Sequence, residues 1–293
     1  MGLPSESCLL ALLGPYPLTL RESQHQIYGE TVTAASARRV IRVSSPGTID
    51  KAPYASGMSA IVFVHGAGMD SSSWQYQTNF FDGAIAVNLP GHGDSTDVSH
   101  DNVAEYASWL GDTIRRFGAE PVTLVGHSMG SLVVLETAAR NPDMVERLVL
   151  VSTSATMPVH RDLLAAAAAN DPAAAAMVVK WSLPRDGGYG RPKKWVEQMS
   201  DAFVLAAETG VMANDFVACD SYKDALLMAE KVRCPTLLLL GEHDVMTKPT
   251  AAQPLAAAIA DARIVIIEGV GHMVPLERPG ETNEAISLFL SID

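Results

Sequence analysis

Six short apolar runs recur along the chain: Ala60–Val64, Ala84–Leu89, Val122–Val125, Leu148–Val151, Leu237–Leu240 and Ile264–Ile267. They are nearly free of alternation. A strand with one wet face alternates; a strand covered on both faces does not, and that happens where helices flank a parallel sheet. Helical stretches lie between the runs, at Val103–Phe117, Ser128–Arg140, Thr250–Ala260 and Glu281–Leu290. Strand and helix in turn predict an α/β, doubly wound, mostly parallel sheet. Ahead of this pattern, residues 25–45 alternate loosely through Val32, Val40, Ile41 and Val43, which predicts two antiparallel strands. Residues 46–57, with Pro46, Gly47, Pro53 and Gly57, read as a loop.

One interval breaks the rhythm. From about Ala155 to Lys231 no buried-strand run occurs. The alanine runs Ala165–Ala169 and Ala173–Ala176 favour helix, and the glycine-containing stretch Pro184–Pro192 reads as a loop. The interval is too long for an ordinary connection. We therefore divide the chain into an α/β core of residues 1–154 and 232–293 and an inserted helical cap, residues 155–231. Trp181, Trp195, Phe203, Met177, Met199 and Met212 lie in the cap. They serve either as packing or as the lining of an apolar pocket.

Charge and cysteines exclude several partners. Lys and Arg number 21 against 33 Asp and Glu, a net charge of −12. A nucleic-acid or anionic-membrane partner needs a basic face, so neither is expected. No apolar run reaches the ~18 residues of a membrane span. The stretch Cys8–Leu13 follows Glu6 rather than a basic residue, so no signal peptide is expected. Glu6 also occupies the position where a myristoylation signal beginning at Gly2 needs Ser or Thr. Cys8, Cys219 and Cys234 are odd in number and scattered, which fits reduced thiols and a cytoplasmic location. No His, Cys, Asp and Glu cluster has metal-ligand spacing, so no metal is expected.

The chemistry is concentrated at strand ends. Gly126-His127-Ser128-Met129-Gly130 follows one apolar run and opens a helix. A strand turning abruptly into a helix holds its central residue strained, with the side chain over the sheet edge. Side chains two positions either side would collide there, so glycine is required. Ser128 would then stand at a helix N-terminus, which favours a developing anion. The bare pattern is weak; strand before and helix after make it specific. A nucleophilic serine needs a base, and the base an orienting carboxylate. His272 in Gly269–His272 and Asp244 in Gly241–Asp244 each follow a predicted parallel strand, at the edge where such sheets build their sites. His65-Gly66-Ala67-Gly68 ends another strand, and the N–H groups of Ala67 and Met129 are assigned to an oxyanion hole.

These segments, with Pro90–Ser95, resemble in order and spacing the α/β-hydrolase family. The resemblance covers residues 25–155 and 230–293; the interval between corresponds to the family's variable cap. It implies a serine hydrolase without cofactor that acts on a small-molecule ester and water, with acyl transfer to Ser128. Serine at that position separates the chain from epoxide hydrolases and haloalkane dehalogenases, which place Asp there. Ala67 interrupts the His-Gly-Gly-Gly form of some esterases, and Ser131 stands where many relatives carry glycine.

Other residues compete for these roles. Glu242 is the alternative to Asp244 as orienting acid, and Asp220 a remote one. His65, His127 and His92 are expected to hold loops, Asp70 and Asp94 to cap or brace turns, and His25, His100 and His160 to lie on the surface. His243 precedes Asp244 on its turn and is expected to be bystander. The expected activity is hydrolysis of carboxylic esters with small to medium, neutral, apolar acyl groups. The same triad also serves lipases, thioesterases, acyltransferases and carbon–carbon bond hydrolases, and the fold serves ligand-binding proteins.

Overall fold

The computed structural model describes residues 40–43, 59–184 and 210–291. Among the described residues seven strands form one sheet: β1 (Val40–Val43), β2 (Ala60–Val64), β3 (Ile85–Val87), β4 (Val122–His127), β5 (Val145–Val151), β6 (Thr236–Gly241) and β7 (Ala262–Ile267). Their spatial order is β1-β7-β6-β5-β4-β2-β3. Every neighbouring pair is parallel.

Of the antiparallel pair expected at residues 25–45, one strand lies among the described residues. The described part, Val40–Val43, runs parallel to β7, with Val40 opposite Ile264. Alternation reports which faces are wet and carries no information about a partner's direction. The remainder of that expected pair lies outside the described residues.

Adjacent strand residues point to opposite faces. Val62, Val64, Leu124, Leu148, Leu150, Leu238 and Leu240 enter a core under α2 (Val103–Phe117), α3 (Met129–Arg140) and α8 (Pro249–Ala258). Ile61, Phe63, Val125, Val149, Val151, Leu237 and Leu239 enter the opposite core with Trp74, Phe81 and α10 (Pro279–Leu290). Both faces are therefore dry, which is why the runs do not alternate. α2 is bounded as its sequence dictates: Asn102 Oδ1 accepts the Glu105 N–H at 2.9 Å, and Gly118 ends the helix at φ +63°. Residues Met129 to Ala139 of α3 are buried without a break, so it is the central helix of its layer.

Among the described residues the helices between β5 and β6 are α4 (Arg161–Ala168), α5 (Ala173–Ser182), α6 (Val211–Ser221) and the short α7 (Ala225–Ala229). They divide into two tasks. Leu163, Ala167, Ala174, Val178 and Phe216 close over Met69, Met273 and Leu276 at the sheet's carboxyl edge. Ala218, Cys219, Tyr222, Ala225, Met228 and Ala229 instead join the core beneath α3. Residues 185–192 of the predicted loop, with Trp195, Met199 and Phe203, lie outside the described residues. Among the described residues no helix is long and apolar enough to cross a membrane.

Candidate active site

β4 passes into α3 through Ser128, whose backbone sits at φ +52°, ψ −120°. An L-residue enters that region at a cost of roughly 1–3 kcal/mol. The flanking glycines make the turn possible. A Cβ on Gly126 would lie 2.2 Å from the Gly130 carbonyl oxygen, and one on Gly130 would lie 2.3 Å from that of His65. Ser128 N–H donates to Val151 O at 3.0 Å, and Ser131 Oγ lies 2.6 Å from Ser128 O. Ser131 thus ties the elbow's carbonyl twice, through its backbone N–H at 2.8 Å and through its hydroxyl; a glycine there would keep only the first bond. Met129 is the first residue of α3, so its N–H is one of the helix's unpaired donors.

Three strand ends bring Ser128, His272 and Asp244 together. His272 Nε2 lies 2.9 Å from Ser128 Oγ, and His272 Nδ1 lies 2.8 Å from Asp244 Oδ2. Asp244 is buried. Its Oδ1 accepts the N–H groups of Met246 (2.8 Å) and Thr247 (2.9 Å), and its Oδ2 also accepts the Thr247 hydroxyl at 2.7 Å. Burial alone would push this carboxyl up, but facing His272 and the Thr247 donors outweigh it and hold the group below the usual carboxylate range. Glu242, the competing acid, turns away and accepts Gly269 N–H at 3.2 Å.

The backbone around His272 is pinned on every side. Its N–H donates to Ser182 O at 2.7 Å, at the end of α5. Its carbonyl accepts from Ser152 Oγ at 2.8 Å and from His127 Nε2–H at 2.9 Å. Burial, then the facing His272, push the His127 imidazole down to about 3, so it stays neutral and serves as that donor. Glu277, in the short helix α9 (Val274–Glu277), accepts the N–H groups on both sides of the base: Gly271 at 3.1 Å and Met273 at 3.0 Å. Burial pushes the Glu277 carboxyl up to about 7.

The loop after β2 faces the serine. Leu89 N–H donates to His65 Nε2 at 3.1 Å, which leaves His65 Nδ1–H to donate to Gly66 O at 2.9 Å. Met69 N–H donates to the same carbonyl at 3.2 Å. In a trans peptide C=O and N–H point oppositely, so fixing Gly66 O also fixes the direction of the Ala67 N–H.

These groups open into a cavity of about 330 Å³. Ser128, His272 and Ala67 line it, as do Met157, Leu163, Val178, Trp181, Phe216 and Met246. Among the described residues no Asp, Glu, Lys or Arg lines it. Of the apolar residues expected in the cap, Trp181 is in the wall, and Met177 and Met212 pack beside it. His160 is exposed, as expected, and also lines the cavity. The wall residues at 157–163 and 245–246 and the acids Glu277 and Asp215 escaped the sequence reading. Each acid sits within an apolar run (Val274-Pro275-Leu276-Glu277 and Asp215-Phe216-Val217-Ala218), and that placement was the available signal. Asp70 and Asp94 brace turns as expected, through Ser72 N–H and Asn88 Nδ2. Asp220 accepts Val159 N–H at 2.9 Å, away from the triad.

Comparison with known proteins places the fold. The alpha/beta hydrolase family model matches residues 61–285. An (E)-2-((N-methylformamido)methylene)succinate hydrolase of Acinetobacter baylyi is 27% identical over 78% of this chain and 89% of its own length. An uncharacterized carboxylesterase of Bacillus subtilis is 26% identical over 80% of this chain and 79% of its own. The solved structure of a thermophilic esterase superposes with a TM-score of 0.69 at 27% identity, covering 80% of this chain and 90% of that one. Strand order, elbow and family match converge: the chain belongs to the alpha/beta hydrolase family.

Proposed function

We propose that the protein is a carboxylester hydrolase that works through an acyl-enzyme on Ser128. The observation that carries this reading is the hydrogen-bonded series Ser128 Oγ, His272, Asp244 beside a cavity whose lining, among the described residues, holds no Asp, Glu, Lys or Arg. The esterases among its relatives support the same bond class.

His272 Nε2 takes the Ser128 proton as Oγ attacks the ester carbonyl. Ala67 and Met129 N–H groups hold the oxyanion; one such donor is worth about 10²–10³ in turnover. His272 then protonates the departing alkoxide. A water enters, is deprotonated by the same nitrogen, and releases the acid. Asp244 fixes the imidazole tautomer and stabilises its cation. The apolar wall suits a small to medium, neutral acyl group, because among the described lining residues a buried carboxylate would meet no Lys or Arg. The unpaired thiols of Cys219 and Cys234 fit a cytoplasmic setting.

The test is a chain-length series of nitrophenyl esters with a fluorophosphonate label. Turnover with covalent labelling at Ser128 is expected. Absence of both would overturn the reading, and turnover that requires an added alcohol would redirect it to acyl transfer.

A further inference from the structure

Asp215, in α6 of the inserted segment, is completely buried 147 positions along the chain from the loop it touches. Its Oδ2 accepts Gly68 N–H at 2.8 Å and faces His92 Nε2 at 2.8 Å; its Oδ1 accepts the Tyr106 hydroxyl at 2.8 Å. His92 and Tyr106 are buried too. The His92 Nδ1–H donates to Pro90 O at 2.9 Å. With that nitrogen protonated, an unprotonated Nε2 would set a lone pair against a carboxylate oxygen, so a proton lies between His92 and Asp215. Burial would lower the His92 imidazole, but the Asp215 charge and hydrogen bond outweigh it and raise it above the ordinary value. The cluster thus holds a carboxylate with one compensating proton, and the triad takes no part in it.

What the cluster grips is informative. Gly68 N–H belongs to the peptide immediately after Ala67. The preceding peptide is fixed through Gly66 O by His65 and Met69. Asp215 supplies the other fixed point, so the peptide that carries the Ala67 N–H is pinned at Gly66 O and the next peptide is pinned at Gly68 N–H. Because His92 carries the compensating proton, the loop is held without a net negative charge beside a developing oxyanion. We propose that Asp215 is a positioning residue for the oxyanion loop, held by His92, so that the inserted helix α6 sets the geometry of the hole. The proposal rests on the Ser128 reading and on Ala67 as an oxyanion donor.

The test is steady-state hydrolysis of a short nitrophenyl ester. Asp215→Ala is expected to lower kcat about 10–100-fold, as a small misplacement of a catalytic group does, with KM within about 3-fold. Asp215→Asn keeps an oxygen for Gly68 N–H and is expected to recover most of that loss. Tyr106→Phe removes only the Oδ1 donor; kcat is expected within about 2-fold of wild type although the melting temperature falls. Should Asp215→Ala not fold, the triple change Asp215→Leu, His92→Leu, Tyr106→Phe carries the test, since replacing a whole buried polar cluster by apolar groups often preserves stability. A stable triple variant with wild-type kcat, or Tyr106→Phe losing as much kcat as Asp215→Ala, would overturn the proposal. Ser128→Ala run alongside separates the two readings. Turnover surviving in that variant removes the serine mechanism itself; turnover lost there while Asp215→Ala works normally removes only the positioning role.

Discussion

Two regions around the cavity are built on opposite principles. Around His272, direction matters: Ser182, Ser152, His127 and Glu277 each hold a particular backbone atom. Along Leu163, Val178, Trp181 and Phe216 only area and volume matter, because apolar contact has no preferred angle. A polar loop loses its geometry when one partner is removed, whereas an apolar wall tolerates exchange at constant volume. The first region should govern the rate of bond breaking and the second the choice of guest.

The sharpest way to break that division is at the serine. Ser128→Ala should lower kcat by roughly 10⁴–10⁶, as removal of a triad nucleophile does, with KM little changed; a loss under about 10² in the ester assay would sink the assignment.

Glu277→Gln comes next. A Gln oxygen can accept only one of the two N–H groups that Glu277 holds, so kcat/KM above pH 7 should fall about 10-fold. The wild-type carboxyl takes up a proton below about 7, which weakens both bonds. The acid limb of kcat/KM should therefore be steeper than a one-proton curve, and the Gln variant should restore a one-proton limb. Stability moves the other way. A carboxyl raised on folding contributes most below its ordinary value of 4.5 and loses that contribution as pH rises through about 7. That is on the order of 3 kcal/mol. The melting temperature of Glu277→Gln relative to wild type should accordingly climb between pH 5 and 8; a flat difference would mean that the carboxyl is not raised.

The smallest effect is expected from the wall. Trp181→Ala should shift the ratio of long-chain to short-chain turnover by about 10-fold, while kcat on the shortest ester stays within about 2-fold. A fall in kcat across the whole series would erase the distinction between the two regions.

The same division explains what could be read from the amino-acid order. Strands covered on both faces have to be apolar throughout, so β2, β4, β5, β6 and β7 announced themselves. The residues at their ends are constrained by contacts closer than a methyl group allows, as at Gly126 and Gly130, and so were legible one by one. The partner of β1 was not, since Val40–Val43 meets Ile264–Ile267 from the far end of the chain. Nor was the wall: a helix buries Phe216 against the cavity and Ala218 against the core through the same periodicity. Glu277 and Asp215 act through main-chain N–H groups, which every residue type carries alike, so the segments they grip show no matching side chain.

The bond from His272 N–H to Ser182 O has a consequence for how such proteins can be recombined. A segment that leaves and re-enters the sheet through two neighbouring strand ends, as the one between β5 and β6 does, is the simplest piece to exchange. Here the base borrows a carbonyl from inside the exchanged piece. A foreign insertion that did not return an oxygen to that point would arrive with its own guest preference and a loosened base. Selectivity and rate are therefore inherited together, and a chimera drawn at the strand ends would divide a unit that the molecule keeps whole.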